Sequence, residues 1–506
     1  MKAPPLIFFY FATAAAAQLL LASEDNPTIP IISVTPDLAH LQKWDDMRGD
    51  TADPFWADDD CLYHFTCDGP GFGKEGRNLC LNRLTGADQE HLKGELVNSM
   101  DEYGKSDGTG PDGATWKITG QECIDGVFYG FVVRNVYGHK SKDPLMRQTS
   151  FNASLIKSTD HGKTWTRSAK ENYDSPMWQG SRFGAPGFFH YGKNGGNETR
   201  DGAENYVYAI SNNGFWNGGD DMIVGRVLRS DLPNLKASDW SYYAGGDGAS
   251  PESWNHDLTK AKPVMKLPSK LGWTSPTYIT ALKRYLLVSW YVSPPLTHWF
   301  EPKLVTYDFY QAEHPWGPWS FVSSFDDRFL KDADRHMYGP NLCAKYQERI
   351  GDAVKIELYT SGCPFGGEKT GLYKNWRIPL IVKTAVASQS QEIHADNPKL
   401  NFTGNWETVR TSSKKGDSVE FNFTGTGVEL LAEKTSGGGT VEIFLDGKSE
   451  GNVSLKVTDF PALTKIRVYK KSGLPAGKHA IRVVNTSDEP VGINGFSLTD
   501  SHQPSP

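Results

Sequence analysis

The chain has 506 residues, a formal net charge of −7 and a pI near 6.0. That balance gives neither nucleic acid nor an anionic membrane surface an electrostatic hold on it. Fifteen Trp, 21 Tyr and 51 Gly, with 22% charged residues, favour a turn-rich, aromatic-lined all-β protein over a helical one.

The N-terminus reads as a secretory signal peptide over about residues 1–22. Met1-Lys2 is followed by an apolar run from Leu6 to Leu21, with small residues at Ala14–Ala17 and Ala22-Ser23. Thr13, the alanines and Gln18 interrupt the run, which argues against a membrane anchor, and no later segment is apolar enough to span a bilayer. Cleavage after Ala17 or after Ala22 fits equally well. Export to an extracellular location predicts disulfides among Cys61, Cys67, Cys80, Cys123, Cys343 and Cys363, which admit 15 connectivities. Cys343 with Cys363, on consecutive predicted strands, is the favoured pair. These cysteines lack the Cys-x-x-Cys and His spacing of a metal site, so neither metal nor cofactor is expected. Asn152, Asn197, Asn401, Asn422, Asn452 and Asn485 each open an N-glycosylation triplet.

Residues 37–385 carry five copies of one phrase: a short turn-rich opening strand, then further apolar strands, several copies closing on Trp. The openers are Ala52–Asp58, Trp116–Gln121, Phe183–Phe189, Gly272–Tyr278 and Tyr338–Leu342. Middle strands follow at Cys61–Thr66, Val127–Val133, Tyr206–Ser211, Tyr285–Tyr291 and Lys355–Gly362. Repetition at roughly 50–70 residues in short strands predicts a five-bladed β-propeller. A sixth blade, or a split blade closed by the N-terminal segment, is the alternative count. Ser158–Trp165 matches the Asp-box of sialidase-type propellers, a hairpin turn with a packing Trp at the outer rim, expected to be structural. A polar stretch within 386–400 predicts a linker. Residues 401–499 then read as a second all-β domain, a β-sandwich of short alternating strands with turns at Asp446-Gly447 and Pro475-Ala476-Gly477. Its phrases Phe421–Leu431 and Gly473–His479 resemble jelly-roll accessory modules of secreted carbohydrate enzymes.

A propeller gathers its opening strands around one axis, so chemistry is sought there. Gly49 to Gly71 is the richest segment in acids. Asp50 and Asp68 stand at the ends of two antiparallel strands folded at Asp59-Asp60, which predicts two carboxylates close together at one rim. Such a pair serves glycosidic cleavage, one carboxyl protonated and one ionised. Asp58, Asp59 and Asp60 read as solvated turn residues, and a Ca²⁺ site lacks regular ligand spacing. Substrate contacts are expected from Asp53, Gln121, Arg134, Arg182, Asn213, Trp273, Trp290, Tyr338 and Asn341, each aromatic also being a candidate for simple core packing. Glu122, Asp220, Asp221, Trp216 and His336 are further candidates of the same kind.

Gly49-Asp50-Thr51, Trp56–Asp59, Leu62-Tyr63, Cys67-Asp68-Gly69, Met337–Asn341 and Leu358–Gly362 together resemble the DUF4185 group of propellers, which includes endo-D-arabinanases. The resemblance implies glycosidase chemistry with Asp50 and Asp68 as the paired acids. It points to a secreted glycoside hydrolase acting on an arabinan-like or related wall glycan, expected to be a monomer with no nucleic-acid or membrane partner. The competing readings are a polysaccharide lyase, a sialidase-like exo-enzyme and a non-catalytic carbohydrate-binding propeller.

Overall fold

The computed structural model describes residues 29–498 apart from 45, 87, 197–199, 294–303, 331–336, 351–352, 363–372, 386–390, 408–409 and 458–461. The expected signal peptide and His336 lie outside the described residues. Among the described residues no helix is long and apolar enough to cross a membrane.

The first domain is a five-bladed propeller. Blade one runs from a broken inner strand (Arg48–Asp50 and Phe55–Trp56) through Leu62–Gly71 and Arg77–Thr85 to Lys93–Asn98. Blade two is Thr115–Ile124, Val127–Val136 and Thr149–Ser158. Blade three is built on Ala185–Phe188, Tyr206–Asn212 and Gly219–Leu228, with Ser241–Tyr243 outside them. Blade four is Thr277–Ile279, Arg284–Ser293, Leu304–Ala312 and Ser320–Asp326. Blade five is Met337–Ile350, Ala353–Gly362 and Lys374–Thr384, and its outermost strand is the N-terminal Ile31–Pro36. Val34 faces Val382 in that pairing, so the two ends of the propeller zip into one sheet. The domain therefore begins before residue 37, and the N-terminal segment completes a fifth blade.

The middle strands are continuous apolar runs because each blade is covered on both faces by its neighbours. Five core clusters seal the five blade–blade seams. Phe65 and Phe128 join blades one and two. Phe131, Phe188 and Trp240 join two and three. Tyr208 and Tyr285 join three and four, Val288 and Ile356 four and five, and Cys343 and Leu62 five and one. Inner strands approach tightly at the axis. A Cβ on Gly120 would lie 2.6 Å from Gly187 Cα, and one on Gly187 would lie 2.1 Å from Thr274 O. Gly187→Ala is therefore expected to lower stability by about 1–3 kcal/mol, measurable by urea denaturation.

The Asp-box turn is a structural clip. Asp160 accepts hydrogen bonds from Thr164 N (2.9 Å), Thr164 Oγ1 (2.7 Å) and Ser158 Oγ (2.7 Å). Desolvation works to raise its carboxyl, and these bonds outweigh it, leaving the group at about 2. Trp165 packs on Phe65 of blade one at 5.4 Å, and Asn98 donates to the carbonyls of Gly162 and Lys163.

The second domain has its own core of Phe421, Val428, Leu430, Ile443, Ile481 and Phe496. It starts earlier than expected, since Gln391–His394 pairs with Val491–Leu498. Segments read as separate short strands join into long ones, Ser418–Lys434 and Leu463–Asn485, through register shifts beginning at Gly425/Gly427. A bulge bends a strand without breaking it, so one strand can serve both layers around a single core.

The disulfide expectation is corrected. Cys61, Cys67, Cys80, Cys123 and Cys343 are free thiols. Cys80 faces Thr66 across the ladder, so Cys67, one residue on, points to the opposite side of the sheet. Cys343 lies opposite Glu357, whereas Gly362 pairs with Met337, and Cys363 is outside the described residues. Asn485 is buried, its amide donating to Ser412 O and Glu489 O, while Asn401, Asn422 and Asn452 are exposed.

Candidate active site

The inner strand of blade one is broken between Asp50 and Phe55, so that Asp50 stands at the edge of the break and Asp53 within it. Gly49 has φ +123° and Thr51 φ +69°, a left-handed conformation that a β-branched residue rarely adopts. Asp68, at φ +52°, lies near the end of the neighbouring strand Leu62–Gly71. Asp50 pairs with Cys67 in the ladder, so Asp50 and Asp68 share one rim of the propeller.

Lys117, from the inner strand of blade two, makes an ion pair with Asp68 Oδ2, both side chains being 2% exposed. The Tyr137 hydroxyl donates to Asp68 Oδ2 (3.0 Å) or to Asp107 Oδ1 (3.1 Å). Asp50 Oδ2 accepts from the Tyr338 hydroxyl at 2.6 Å, across the seam to blade five. Asp50 Oδ1 and Asp68 Oδ1 are buried with no hydrogen-bond partner among the described residues. Burial pushes the Asp50 carboxyl up to about 7, with Lys117 opposing and Asp68 reinforcing the rise. Burial also raises Asp68, against the pull of Lys117, whose ammonium is held well above its ordinary value once the carboxylates outweigh its desolvation. Lys117 opposes the rise at both carboxyls and makes its ion pair with Asp68.

A second buried cluster lies farther along the same inner strands. His190, after the inner strand of blade three, sits between two carboxylates: Nε2 to Asp53 Oδ1 at 3.1 Å and Nδ1 to Glu122 Oε2 at 2.6 Å. Ser275 Oγ donates to Asp53 Oδ2 at 2.8 Å, and Ser275 N donates to Asn341 Oδ1 at 3.2 Å. Burial alone would lower His190, but Asp53 and Glu122 prevail and hold it near 10, so it is an imidazolium at neutral pH. Among the described residues no group of His, Cys, Asp and Glu has the arrangement to hold a metal ion.

The remaining expected contacts are distributed as follows. Gln121 is buried and its Oε1 accepts from Phe65 N at 2.6 Å, tying blade two to blade one. Arg134 is locked to Asp112 by two bonds (2.9 and 2.7 Å) and lies over the Trp116 ring at 4.3 Å. Arg182 pairs with Asp221 at 2.5 Å and stays partly exposed. Asn213 donates to Asp220 and accepts from its backbone. Trp273 is buried against Trp216, ring centroids 5.1 Å apart, and is core rather than funnel surface. Trp290 is also buried, and its ring lies 5.9 Å from that of the partly exposed Tyr338. Asn341 is buried at the axis. Asp58, Asp59 and Asp60 occupy the turn at the far end of the hairpin, where they meet His161, Tyr63 and Trp56. Sequence reasoning passed over Lys117, Tyr137, Asp107 and His190. A lysine inside an otherwise buried inner strand was the available signal for the first.

Three comparisons bear on this chain. The family described as Carbohydrate esterase 2 N-terminal matches residues 405–506. An A type blood alpha-D-galactosamine galactosaminidase of Flavonifractor plautii is 28% identical over 127 residues, 23% of this chain and 11% of that protein. An A type blood N-acetyl-alpha-D-galactosamine deacetylase of the same organism is 33% identical over 98 residues, 17% of this chain and 12% of that protein. The chain thus spans about an eighth or less of the length of these curated relatives. Among solved structures, the exo-beta-1,3-galactanase of Phanerochaete chrysosporium aligns over 93% of this chain and 100% of its own, with 10% identity and a TM-score of 0.35.

Proposed function

We propose that the protein is a secreted carbohydrate-active enzyme that hydrolyses glycosidic bonds of a polysaccharide in the propeller funnel. The observation that carries this reading is the buried pair Asp50 and Asp68 at one rim, with Asp68 ion-paired to Lys117 and the Asp50 carboxyl pushed up by burial to about 7. Asp50 donates its proton to the leaving oxygen, and Asp68 acts as the ionised partner, base or nucleophile. Asp50 Oδ1 and Asp68 Oδ1, without a partner among the described residues, are the atoms left for the substrate: the first to carry the acid proton, the second to accept from the attacking water or a sugar hydroxyl. Tyr338 and Tyr137 are partly exposed and Asp107 is exposed, so the group has an edge open to solvent for a sugar to reach. Arabinan-like wall glycans are the first substrates to try, given the likeness of the first and last blades to the DUF4185 group.

The sialidase reading loses support because Arg134, Arg147 and Arg182 are each ion-paired to a carboxylate of the protein. A second reading, removal of acetyl groups from a glycan, is favoured by the match at residues 405–506 and by the deacetylase among the relatives. The test incubates wild type and Asp68→Asn with arabinans, galactans and acetylated amino-sugar polymers. New reducing ends from wild type, with a loss of about 10²–10⁴-fold in the variant, are expected. Acetate release without new reducing ends would replace hydrolysis by deacetylation. Ultraviolet-absorbing unsaturated ends would make the enzyme a lyase, and binding without products would make it a lectin.

A further inference from the structure

Five residues, one from each blade, meet at the axis in one hydrogen-bonded chain: Glu122, His190, Asp53, Ser275 and, through the Ser275 backbone N–H, Asn341. All are at most 2% exposed. Asp53 is the hub, with one carboxylate oxygen on His190 and the other on Ser275. It stands three residues from Asp50 on a segment with almost no exposed surface, Thr51 and Ala52 being 0% and 1% exposed. That short segment contains the left-handed Thr51, whose hydroxyl donates to Asp50 O at 2.6 Å. A β-branched residue at positive φ is strained and persists only where its surroundings hold it. Here both ends are held: Asn375 donates to Gly49 O at 3.0 Å on one side, and the axial chain grips Asp53 on the other.

We propose that Asp53 is a positioning residue, and that the axial chain uses it to hold the Gly49–Asp53 turn in the strained form that aims Asp50 at Asp68 and Lys117. The proposal rests on the glycosidase reading of Asp50 and Asp68 for its effect on catalysis, but the geometry it assigns can be read without a substrate. The charged and titratable groups facing Asp50 are Lys117 from blade two, Asp68 and Cys67 from blade one, Tyr338 from blade five, and Asp107 with Tyr137 at the rim. Moving Asp50 changes its distance to all of them at once.

Ser275→Ala removes one bond to Asp53 and leaves the His190 pairings in place, so it is the mild variant. Asp53→Asn is the stronger one. In full-length protein labelled with carboxyl-¹³C aspartate, the Asp50 signal is assigned by its absence in Asp50→Asn and titrated in each variant. Ser275→Ala is expected to move the Asp50 midpoint by about half a unit or more towards its ordinary value. On a cleaved glycan it should lower kcat about 10- to 100-fold with KM within about twofold. Ser275→Thr, which keeps the hydroxyl, should restore both. An unchanged Asp50 midpoint in both Ser275→Ala and Asp53→Asn, with only a lower melting temperature, would overturn the proposal and leave the chain a purely structural fastener. If wild type cleaves no glycan yet the midpoint moves, the positioning stands and the glycosidase reading falls.

Discussion

Asp50→Asn is expected to abolish hydrolysis while making the protein more stable at alkaline pH. Loss of a general acid typically costs about 10²–10⁴-fold in rate. The stability gain follows from linkage. Burial lifts the Asp50 carboxyl from 3.8 to about 7 in the folded protein, so between those values the folded state binds a proton that the unfolded chain releases. The contribution of this group is fully present below 3.8 and is lost as pH rises through about 7. Asparagine resembles the protonated acid at every pH. The variant should therefore match wild type near pH 4 and exceed it at pH 8, by at most about 4 kcal/mol at 1.36 kcal/mol per unit. Paired thermal or urea melts from pH 4 to 8 read this difference directly. A gap that does not grow with pH would refute the assigned burial of the charge, and retained cleavage would remove Asp50 from the chemistry. Wild-type activity should fall on the alkaline side near pH 7, as Asp50 gives up its proton.

His190→Ala should do the opposite and destabilise the propeller severely. The imidazolium is the only cation in contact with two fully buried carboxylates, Asp53 and Glu122, among the described residues. Removing it leaves both without a counter-charge, and breaking a buried pair in this way costs about 3–5 kcal/mol. The sign of the pH dependence is also set. Desolvation opposes the charge, but Asp53 and Glu122 raise the folded value of His190 from 6.5 to about 10. Its contribution is complete below 6.5 and disappears as pH climbs through about 10. Wild type should therefore lose stability towards pH 10 by an increment that His190→Ala lacks. Equal melting temperatures for the two proteins at pH 6.5 would show that the cluster does not fasten the blades.

The architecture was legible because a propeller repeats one local pattern. Turn-rich openers and apolar middle strands recur at the spacing of a blade, and every covered strand is a continuous apolar run. The sheet ends were less legible. Ile31–Pro36 has the composition of an ordinary edge strand, and only the meeting of chain ends makes it the outer strand of blade five. Pro475-Ala476-Gly477 has the composition of a turn between short strands, where the structure carries a register shift within one longer strand, Leu463–Asn485. Oxidised cysteines followed from the expected export, yet strand alternation turns Cys67 and Cys80 to opposite faces, and no composition rule contains that fact.

For the site, sequence by itself determined that acids concentrate at the first blade and that Asp50 and Asp68 close one hairpin, because strand pairing is a local consequence of the turn between them. Tertiary structure alone decided what surrounds them. Lys117 and Tyr338 come from two other blades, and both oppose the rise that burial imposes on Asp50. Gln121, Arg134 and Trp273, polar or aromatic residues on inner strands, were equally fit for a funnel or a seam until the neighbouring blades enclosed them. Asp53 and His190 are 137 positions apart in sequence. They meet only because five strands converge on one axis, and charge, unlike hydrophobicity, leaves no periodic trace in sequence when its partner lies on another blade.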